Sequence, residues 1–249
     1  MFQYQASKNL LQDKIILVTG AGDGIGKAAA LSYAEHGATV ILLGRTISKL
    51  EKVYDEIENN NWPQPAIIPL NLDGAVEKDY EEVAISIENA FGRLDGILHN
   101  ASILGSLTSI DQYEVSVWEK VMRVNVNSAF MLTKSFLHLL KAASSPSIIF
   151  TTSSVGRKGR AFWGAYSASK FATEGLAQVL ADELDESNHK VRVNCINPGA
   201  TRTTMRADAY PAENPMINPS AKEIMPLYLY LMGDDSLDIT GKSLDAQTK

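Results

Sequence analysis

Short, continuously apolar segments alternate with amphipathic segments along most of this chain, and this alternation restricts its possible folds. Apolar runs of strand length separated by helical periodicity are typical of a parallel sheet with helices on both faces. The pattern therefore predicts a doubly wound α/β fold. The predicted strands lie at 15–19, 39–43, 66–70, 96–100, 147–151 and 191–196. The predicted helices lie at 24–36, 48–60 (with Ser48 as the N-cap), 75–91, 115–142, 166–186 and about 221–232.

The length of 249 residues does not by itself decide between one domain and two, since domains average roughly 150 residues. The alternation uses almost the whole chain and leaves no linker, so we predict a single domain over 1–249. Residues 201–220 interrupt the pattern with Pro211, Pro215 and Pro219. Because α/β sheets bind ligands beyond the carboxyl ends of their strands, we expect this segment to be a lid or substrate loop. A disordered surface loop is the alternative.

Composition and charge exclude several classes of protein. With 23 Lys and Arg against 29 Asp and Glu, the formal net charge of −6 argues against binding to nucleic acid or to an anionic membrane. The N-terminus has no apolar stretch typical of a secretory signal, and no apolar run approaches the roughly 20 residues of a membrane span. A lone cysteine excludes an intramolecular disulfide and suits a reducing compartment, so we predict a cytoplasmic protein.

The histidines and the cysteine do not indicate metal or thiol chemistry. His36, His99, His138 and His189 lie on different parts of the chain without the spacing of metal ligands, so no metal site is predicted. Cys195 lies within an apolar predicted strand, which is typical of a small core residue rather than of a nucleophile.

A glycine-rich turn follows the first predicted strand. Gly20, Gly24 and Gly26 form a G-x-x-x-G-x-G pattern between that strand and the first predicted helix. Glycines in such a turn let the backbone approach a pyrophosphate, and the helix N-terminus favours an anion. A P-loop is excluded because Ala21 replaces its first glycine and Ala28 replaces its Ser or Thr. We interpret the segment as a dinucleotide-binding turn, although a glycine-rich turn alone is often only a turn.

The end of the second predicted strand indicates which dinucleotide is preferred. An acid roughly 20 residues after the glycine turn would bind the ribose hydroxyls of NAD, but 39–49 contains none. Arg45 lies there instead, and its planar guanidinium can pair with a 2′-phosphate. We therefore predict that NADP(H) is the preferred cofactor and that NAD(H) is a second option. The alternative interpretation is a solvated surface arginine.

Tyr166 and Lys170 are four residues apart and therefore share one face of a predicted helix. A nearby ammonium lowers the pKa of a phenol, which would move Tyr166 toward acid–base chemistry at neutral pH. Ser153, at the end of the fifth predicted strand, can donate a hydrogen bond to a carbonyl oxygen. Hydride transfer to that carbon would form an alkoxide for Tyr166 to protonate. The spacing is common, so it is informative only together with the glycine turn and the strand order.

Together these motifs resemble the short-chain dehydrogenase/reductase family, in its compact branch. The resemblance covers about 10–245 and rests on the segments TGAGDGIG, LHNAS, RVNVN, YSASK and NPGATRT. It implies a single Rossmann-like sheet of about seven parallel strands in the order 3-2-1-4-5-6-7. Within the family, 12–26, 154–175 and 193–207 are most similar to one group of bacterial oxidoreductases.

The resemblance implies a role for each matching residue. The implied catalytic residues are Ser153, Tyr166, Lys170 and Asn125, and Asn125 would support a helix kink and a proton-relay water to Lys170. The residues implied to contact the cofactor are Gly20, Gly22, Asp23, Gly24, Ile25, Gly26, Arg45, Asp73, Asn100, Tyr166, Lys170, Pro198, Gly199, Thr201 and Thr203. Among them, Asp73 matches an acid near the adenine amino group, and Lys170 would also bind the nicotinamide ribose.

Two segments depart from the family pattern. His99 and Ser102 replace the Asn and Gly of a common N-N-A-G motif, which leaves the packing under the cofactor open. The C-terminus reads SLDAQTK where many relatives have a V-D-G-G strand, which leaves the packing of that edge open.

The implied function is that of an NADP(H)-dependent oxidoreductase that interconverts a carbonyl and a secondary alcohol of a small-molecule substrate. The alternative is an NADP(H)-binding redox sensor, which we would expect to lack Tyr166 or Lys170. Helices 115–142 and 166–186 would form the interface of a homodimer or homotetramer, although core packing explains the same pattern. The side chains that could line an apolar substrate pocket, or simply pack, are Leu104, Phe162, Trp163, Met205, Tyr210 and Met216.

Overall fold

The residues described in this computed structural model, 1–185 and 191–247, include one sheet of seven strands that are all parallel. The strands are β1 Ile15–Thr19, β2 Thr39–Gly44, β3 Ala66–Pro69, β4 Gly96–His99, β5 Ser147–Thr151, β6 Arg192–Asn197 and β7 Ser243–Asp245. Their order is β3-β2-β1-β4-β5-β6-β7, which confirms the Rossmann-like fold. Each of the six strands predicted from the sequence is present within one residue at either end.

Helices cover both faces of this sheet. They are α1 Gly24–Glu35, α2 Ile47–Asn59, α3 Glu77–Phe91, α4 Val115–Met122, α5 Ser128–Lys141, α6 Gly164–Asp185, α7 Thr204–Ala209 and α8 Met225–Met232. One apolar core joins the sheet to α1, α2 and α8, and a second joins it to α3, α5 and α6. The end predicted for α6, at Glu186, lies outside the described residues.

Burial on both faces explains the continuous apolar strands. In β1, Ile16 and Val18 belong to one core, whereas Ile15 and Leu17 belong to the other. A strand buried on both sides has no solvent-facing position for a polar residue. Pro69 is tolerated for a different reason. It lies in β3 at the edge of the sheet, where a missing backbone donor leaves no neighbouring strand unpaired.

Two helix predictions are wrong in detail. Helix α2 begins at Ile47 with Thr46 at the cap position, so Ser48 is an internal residue and not the N-cap. The predicted helix 115–142 is interrupted by a π-helical turn at Arg123–Asn127, which separates α4 from α5. A π-helical turn widens the helix locally and occurs most often at functional sites.

The segment 201–220 folds back on itself. A backbone bridge joins Arg202 to Ser220, and the amide of Arg202 donates to the carbonyl of Pro219 at 2.9 Å. Between these ends lies α7, followed by a single 3₁₀ turn, Pro215–Ile217. Separately, none of the helices in the described part of the chain is both long enough and apolar enough to span a bilayer.

Candidate active site

A cleft of about 730 Å³ lies at the carboxyl ends of the strands. In an open α/β sheet the ligand crevice forms at this edge, between the two strands at which the strand order reverses. Here these strands are β1 and β4. The predicted residues that line the cleft are Gly20, Gly22, Asp23, Gly24, Ile25, Arg45, Asp73, Asn100, Ser153, Tyr166, Pro198, Gly199, Thr201 and Thr203. Gly26, Asn125 and Lys170 do not line it; Asn125 and Lys170 line a much smaller cavity that shares Thr151 with the cleft.

The glycine turn brings the N-terminus of α1 against the end of β1. Gly20 and Gly24 have φ of +68° and +52°, which side chains with a Cβ rarely adopt. A Cβ on Gly26 would lie 2.2 Å from the carbonyl oxygen of Gly20 and 2.7 Å from Nδ2 of Asn100. These three glycines therefore permit a close approach of backbone to backbone at the floor of the cleft.

Asp23 is the capping residue of α1. Its Oδ1 accepts a hydrogen bond from the amide of Gly24 at 2.7 Å, and its Oδ2 lies 2.6 Å from Nζ of Lys49. The hydrogen bond from Lys49 lowers the pKa of Asp23, so this carboxylate is ionised at neutral pH. Sequence reasoning did not find Lys49, which also lines the cleft.

Two basic side chains at another point of the cleft pair with Asp73. Nζ of Lys120 lies 3.2 Å from its Oδ2, and Nη1 of Arg123 lies 3.8 Å from its Oδ1 and donates to its backbone oxygen at 3.1 Å. These contacts tie the loop after β3 to α4 and the π-helical turn. Arg45 is exposed at the end of β2 and forms no ion pair within 1–185 and 191–247.

The loop after β4 is held against β1 by Thr19. Its Oγ1 accepts hydrogen bonds from the amides of Asn100 and Ala101 at 2.9 and 3.0 Å and donates to the carbonyl of Leu98 at 3.2 Å. Nδ2 of Asn100 donates to the Thr19 carbonyl at 3.3 Å. These bonds fix Asn100, the residue directly after β4, next to the start of the glycine turn.

His99, which departs from the family motif, is a buried neutral side chain. Its Nε2 lies 2.9 Å from Oγ1 of Thr133, and its ring stacks on Phe150 with centroids 4.7 Å apart. Burial lowers its pKa to about 3. Since Oγ1 of Thr133 donates to the carbonyl of Ala129, we assign the Nε2 proton to His99 as the donor.

Tyr166, Ser153 and Lys170 come together where β5 ends and α6 begins. Burial raises the pKa of Tyr166 to about 12, and a hydrogen bond with the Ser153 hydroxyl acts in the opposite direction. Nζ of Lys170 donates to the Thr151 carbonyl at 2.8 Å and lies 5.5 Å from the centre of the Tyr166 ring. Burial lowers the pKa of Lys170 to about 8. The expected lowering of the Tyr166 pKa by Lys170 is therefore not found: burial raises this pKa, and the opposing effect comes from Ser153.

Asn125 explains the π-helical turn. Its Oδ1 accepts from the amide of Ile103 at 2.8 Å, and its Nδ2 donates to the Ile103 carbonyl and to Oγ of Ser169, both at 3.0 Å. Oγ of Ser169 in turn donates to the Tyr166 carbonyl at 2.7 Å. The widened turn lets Asn125 connect the loop after β4 to Ser169 in the second turn of α6.

Gln247 holds the loop after β6 and was not found by sequence reasoning. Its Nε2 donates to the carbonyls of Pro198 and Ala200, both at 2.8 Å, and lies 3.4 Å from Oγ1 of Thr201. The amide of Ala246 donates to the Asn197 carbonyl at 2.9 Å, which extends the pairing of β7 with β6. The only available signal was the departure of SLDAQTK from the family pattern.

Apolar side chains occupy the end of the cleft next to Tyr166. Of the six pocket candidates, four line the cleft, namely Leu104, Trp163, Met205 and Tyr210. Phe162 and Met216 do not line it, and they are 63% and 69% exposed. Those two assignments were wrong, and the reason is that a loop side chain beside a site can equally turn outward.

No group of three or more His, Cys, Asp and Glu side chains is arranged to hold a metal ion in 1–185 and 191–247. His189 lies outside the described residues. Cys195 is buried, and burial raises the pKa of its thiol, so it is not poised as a nucleophile.

Comparison with known proteins connects this geometry to a family. The family model described as short chain dehydrogenase matches residues 14–214. The uncharacterized oxidoreductase YciK of Escherichia coli strain K12 is 52% identical over 244 residues, which cover 98% of this chain and 96% of that protein. It confirms the resemblance to a group of bacterial oxidoreductases noted from three segments of the sequence.

Two solved structures have the same fold along their whole length. A short-chain dehydrogenase candidate from Pseudomonas syringae is 59% identical with a TM-score of 0.97, covering 99% of this chain and 100% of that one. A short-chain dehydrogenase candidate from Escherichia coli CFT073 in complex with NADPH is 52% identical with a TM-score of 0.94, covering 98% and 100%. On the strength of the family match, the strand order and these identities, the chain belongs to the short-chain dehydrogenase family of oxidoreductases.

Proposed function

We propose that this protein is an NADP(H)-dependent oxidoreductase that interconverts a carbonyl and a secondary alcohol, with Tyr166 as the acid–base residue. One observation carries the proposal: Ser153 and Tyr166 share the wall of the cleft, and Lys170 lies directly behind the tyrosine. A redox sensor would need the cofactor site alone, so the presence of this set favours catalysis over the sensing alternative.

The residues of the cleft fit a dinucleotide. The turn of Gly20, Gly24 and Gly26 provides the cradle that a Cβ would fill, and the exposed guanidinium of Arg45 suits the additional phosphate of NADP(H). The NADPH complex of a 52% identical structure supports the same choice. The residues proposed to hold the cofactor are Gly20, Gly22, Asp23, Gly24, Ile25, Gly26, Arg45, Asp73, Asn100, Tyr166, Lys170, Pro198, Gly199, Thr201 and Thr203. NADPH, when bound, supplies the hydride.

The protein side chains supply the proton and its path. A phenol with a raised pKa remains protonated at neutral pH, so Tyr166 is ready to donate its proton to a substrate oxygen. Ser153 donates a hydrogen bond to the same oxygen and polarises the carbonyl. The ammonium of Lys170 stabilises the resulting phenolate, and Asn125 supports the arrangement through Ser169.

We further propose that 1–249 acts as one catalytic domain in which 201–220 covers the substrate. Met205 and Tyr210 support this, because both belong to that segment and line the cleft. The segment encloses its own ends through the Arg202–Ser220 bridge, as compact functional loops do. The composition leads us to place the enzyme in the cytoplasm.

Replacement of the tyrosine hydroxyl tests the catalytic role. We expect Tyr166→Phe to reduce NADPH-dependent reduction of a carbonyl panel by at least about 100-fold, because general acid catalysis is lost while packing is kept. NADPH binding, measured by cofactor fluorescence, should persist. Tyr54→Phe removes a remote phenol that bonds to Glu58 and serves as the matched control. A Tyr166→Phe rate close to that of the wild type would refute the assignment, and a wild type inactive on every carbonyl would favour the sensor.

A further inference from the structure

The charged side chains of the cleft are distributed unevenly. Arg45 and Lys49 lie on the loop and helix that follow β2, and Lys120 lies on α4, so none of these cations belongs to the substrate segment. Within the segment 201–220, the charged side chains that line the cleft are Arg206 and Asp208. Whether an anionic substrate is accepted therefore depends on whether the charge of Arg206 is available.

Arg206 is paired with a neighbouring carboxylate through two of its three guanidinium nitrogens. Its Nε donates to Oε2 of Glu213 at 2.7 Å and its Nη2 to Oε1 at 2.6 Å, the two-pronged geometry that makes Arg–carboxylate pairs strong. Nδ2 of Asn218 donates to the same carboxylate at 2.8 Å. The two charged side chains are only 24% and 20% exposed, so solvent screens this pair less than a surface pair.

An aromatic wall continues from this ion pair to the catalytic tyrosine. The guanidinium of Arg206 lies 3.7 Å from the ring centre of Tyr210, which is 5.9 Å from the ring of Trp163. Trp163 packs edge-on against Tyr166 with centroids 5.8 Å apart. Arg160 donates to the Tyr210 hydroxyl at 2.6 Å but does not line the cleft.

We propose that Glu213 is a specificity-determining residue that neutralises Arg206 and makes the pocket selective for uncharged, apolar carbonyl compounds. The inference rests on the proposed function. A carboxylate or phosphate substrate entering this end would lose water without gaining a free cation, and it would face Asp208. An apolar substrate would instead bury its surface against Trp163, Tyr210, Leu104 and Met205.

Two 4-substituted cyclohexanones, one neutral and one anionic, test this selectivity. We expect kcat/KM with NADPH to be at least roughly tenfold higher for 4-methylcyclohexanone than for 4-oxocyclohexanecarboxylate, which differ in charge at one substituent. In Glu213→Gln the guanidinium of Arg206 is released, and the ratio should fall by at least roughly tenfold. Glu223→Gln is the matched control, because Glu223 bonds to Ser220 and not to Arg206. A wild type that prefers the carboxylate would overturn the proposal.

A double variant distinguishes two causes of a lower selectivity ratio in Glu213→Gln, namely release of the Arg206 charge and loss of structure in segment 201–220. In Arg206→Gln/Glu213→Gln both charges of the pair are removed, so the selectivity for the neutral ketone should return. A ratio that stays low in the double variant would mean that the segment had lost its structure, and the proposal would fail.

Binding measurements distinguish failure of this inference from failure of the proposed reaction. Each compound is titrated into protein saturated with NADP⁺, and fluorescence quenching is compared between the wild type and Trp163→Phe to isolate the signal from this wall. Tighter binding of the neutral ketone supports the pocket chemistry even if neither compound is turned over. Equal or tighter binding of the carboxylate, or no binding of either compound, contradicts it.

Discussion

At the end of β2 the side chain of Arg45 is exposed, extends into the cleft and has no carboxylate partner in 1–185 and 191–247. An unpaired guanidinium at this position favours a dianionic phosphate over ribose hydroxyls, since charge-assisted hydrogen bonds are the stronger ones. The proposed preference for NADP(H) therefore depends on one side chain, and a single substitution tests it.

Arg45→Ala should weaken NADPH binding by roughly tenfold to a hundredfold and leave NADH binding nearly unchanged, because one hydrogen bond to a charged group contributes about 1.5–3 kcal/mol. The measurement is a fluorescence titration with both cofactors. Lys52→Ala, in the same helix as Lys49 but outside the cleft, is the control. If the wild type binds NADH as tightly as NADPH, Arg45 does not select the cofactor.

Because burial lowers the pKa of His99, this side chain makes the free energy of unfolding depend on pH. Its folded pKa of about 3 lies below the usual value of 6.5, so the unfolded state binds the extra proton between those pH values. Stability is consequently retained above pH 6.5 and lost as the pH falls toward 3, by about 1.4 kcal/mol for each pH unit.

His99→Asn, which restores the family residue, should flatten this acid limb relative to the wild type. The free energy of unfolding is measured by urea titration at several pH values, and the comparison concerns the slope rather than the absolute stability. His138→Asn, at an exposed position on α5, should leave the slope unchanged. Parallel slopes for the wild type and His99→Asn would show that His99 does not titrate in this range.

Among the elements, the segment after β7 contacts a loop that lines the cleft. Gln247 bonds to two carbonyls of the loop after β6, and a Cβ on Gly199 would lie 2.8 Å from its Nε2. Gly199 itself has a φ of +72°, which favours glycine. We interpret Gln247 as a positioning residue for the loop of Pro198, Gly199 and Thr201.

Gln247→Ala should raise the Kd for NADPH by up to about 30-fold, since the two hydrogen bonds that position the loop contribute about 1 kcal/mol each. Gln247→Glu keeps the size but directs a carboxylate at the carbonyls of Pro198 and Ala200, so it should be at least as harmful. Gln64→Ala, which bonds to Tyr54 away from the cleft, is the control. A normal Kd in Gln247→Glu would reduce Gln247 to a packing role.

The helix predictions show where local sequence information ends. The apolar periodicity of 115–142 is continuous and does not mark the π-helical turn Arg123–Asn127, and only the family resemblance of RVNVN implied a kink there. That turn forms because Asn125 bonds to Ile103 and Ser169, which lie 22 and 44 residues away in the chain. The break in this helix is thus a tertiary effect on a segment with uniform local preference.

At the scale of the whole molecule, α5 and α6 expose large apolar side chains. Phe130 on α5 is 46% exposed, and on α6 Phe171 is 46% and Val179 is 55% exposed. Apolar groups of this size on adjacent helices are typical of an interaction surface. We propose that these helices form the homodimer or homotetramer interface that the family resemblance implies.

Light scattering after size exclusion should give two or four times the chain mass of 27.1 kDa. Phe171→Glu should shift the protein toward the monomer, because a buried charge without a partner opposes association. Ile47→Glu changes an equally exposed residue on α2, which covers the other sheet face, and should leave the mass unchanged. A monomeric wild type would contradict the proposal.

The sequence by itself determined the fold class, the strand positions and the residues that line most of the cleft. These depend on short-range patterns: apolar runs, glycines in one turn, and the four-residue spacing of Tyr166 and Lys170. Only the tertiary structure decided the roles of Gln247 and Glu213 and the bonding partners of Asn125. Each acts through hydrogen bonds or ion pairs whose partners are chosen by packing and not by a repeating pattern. Burial likewise set the pKa of Tyr166, because the dielectric around a side chain exists only in the folded molecule.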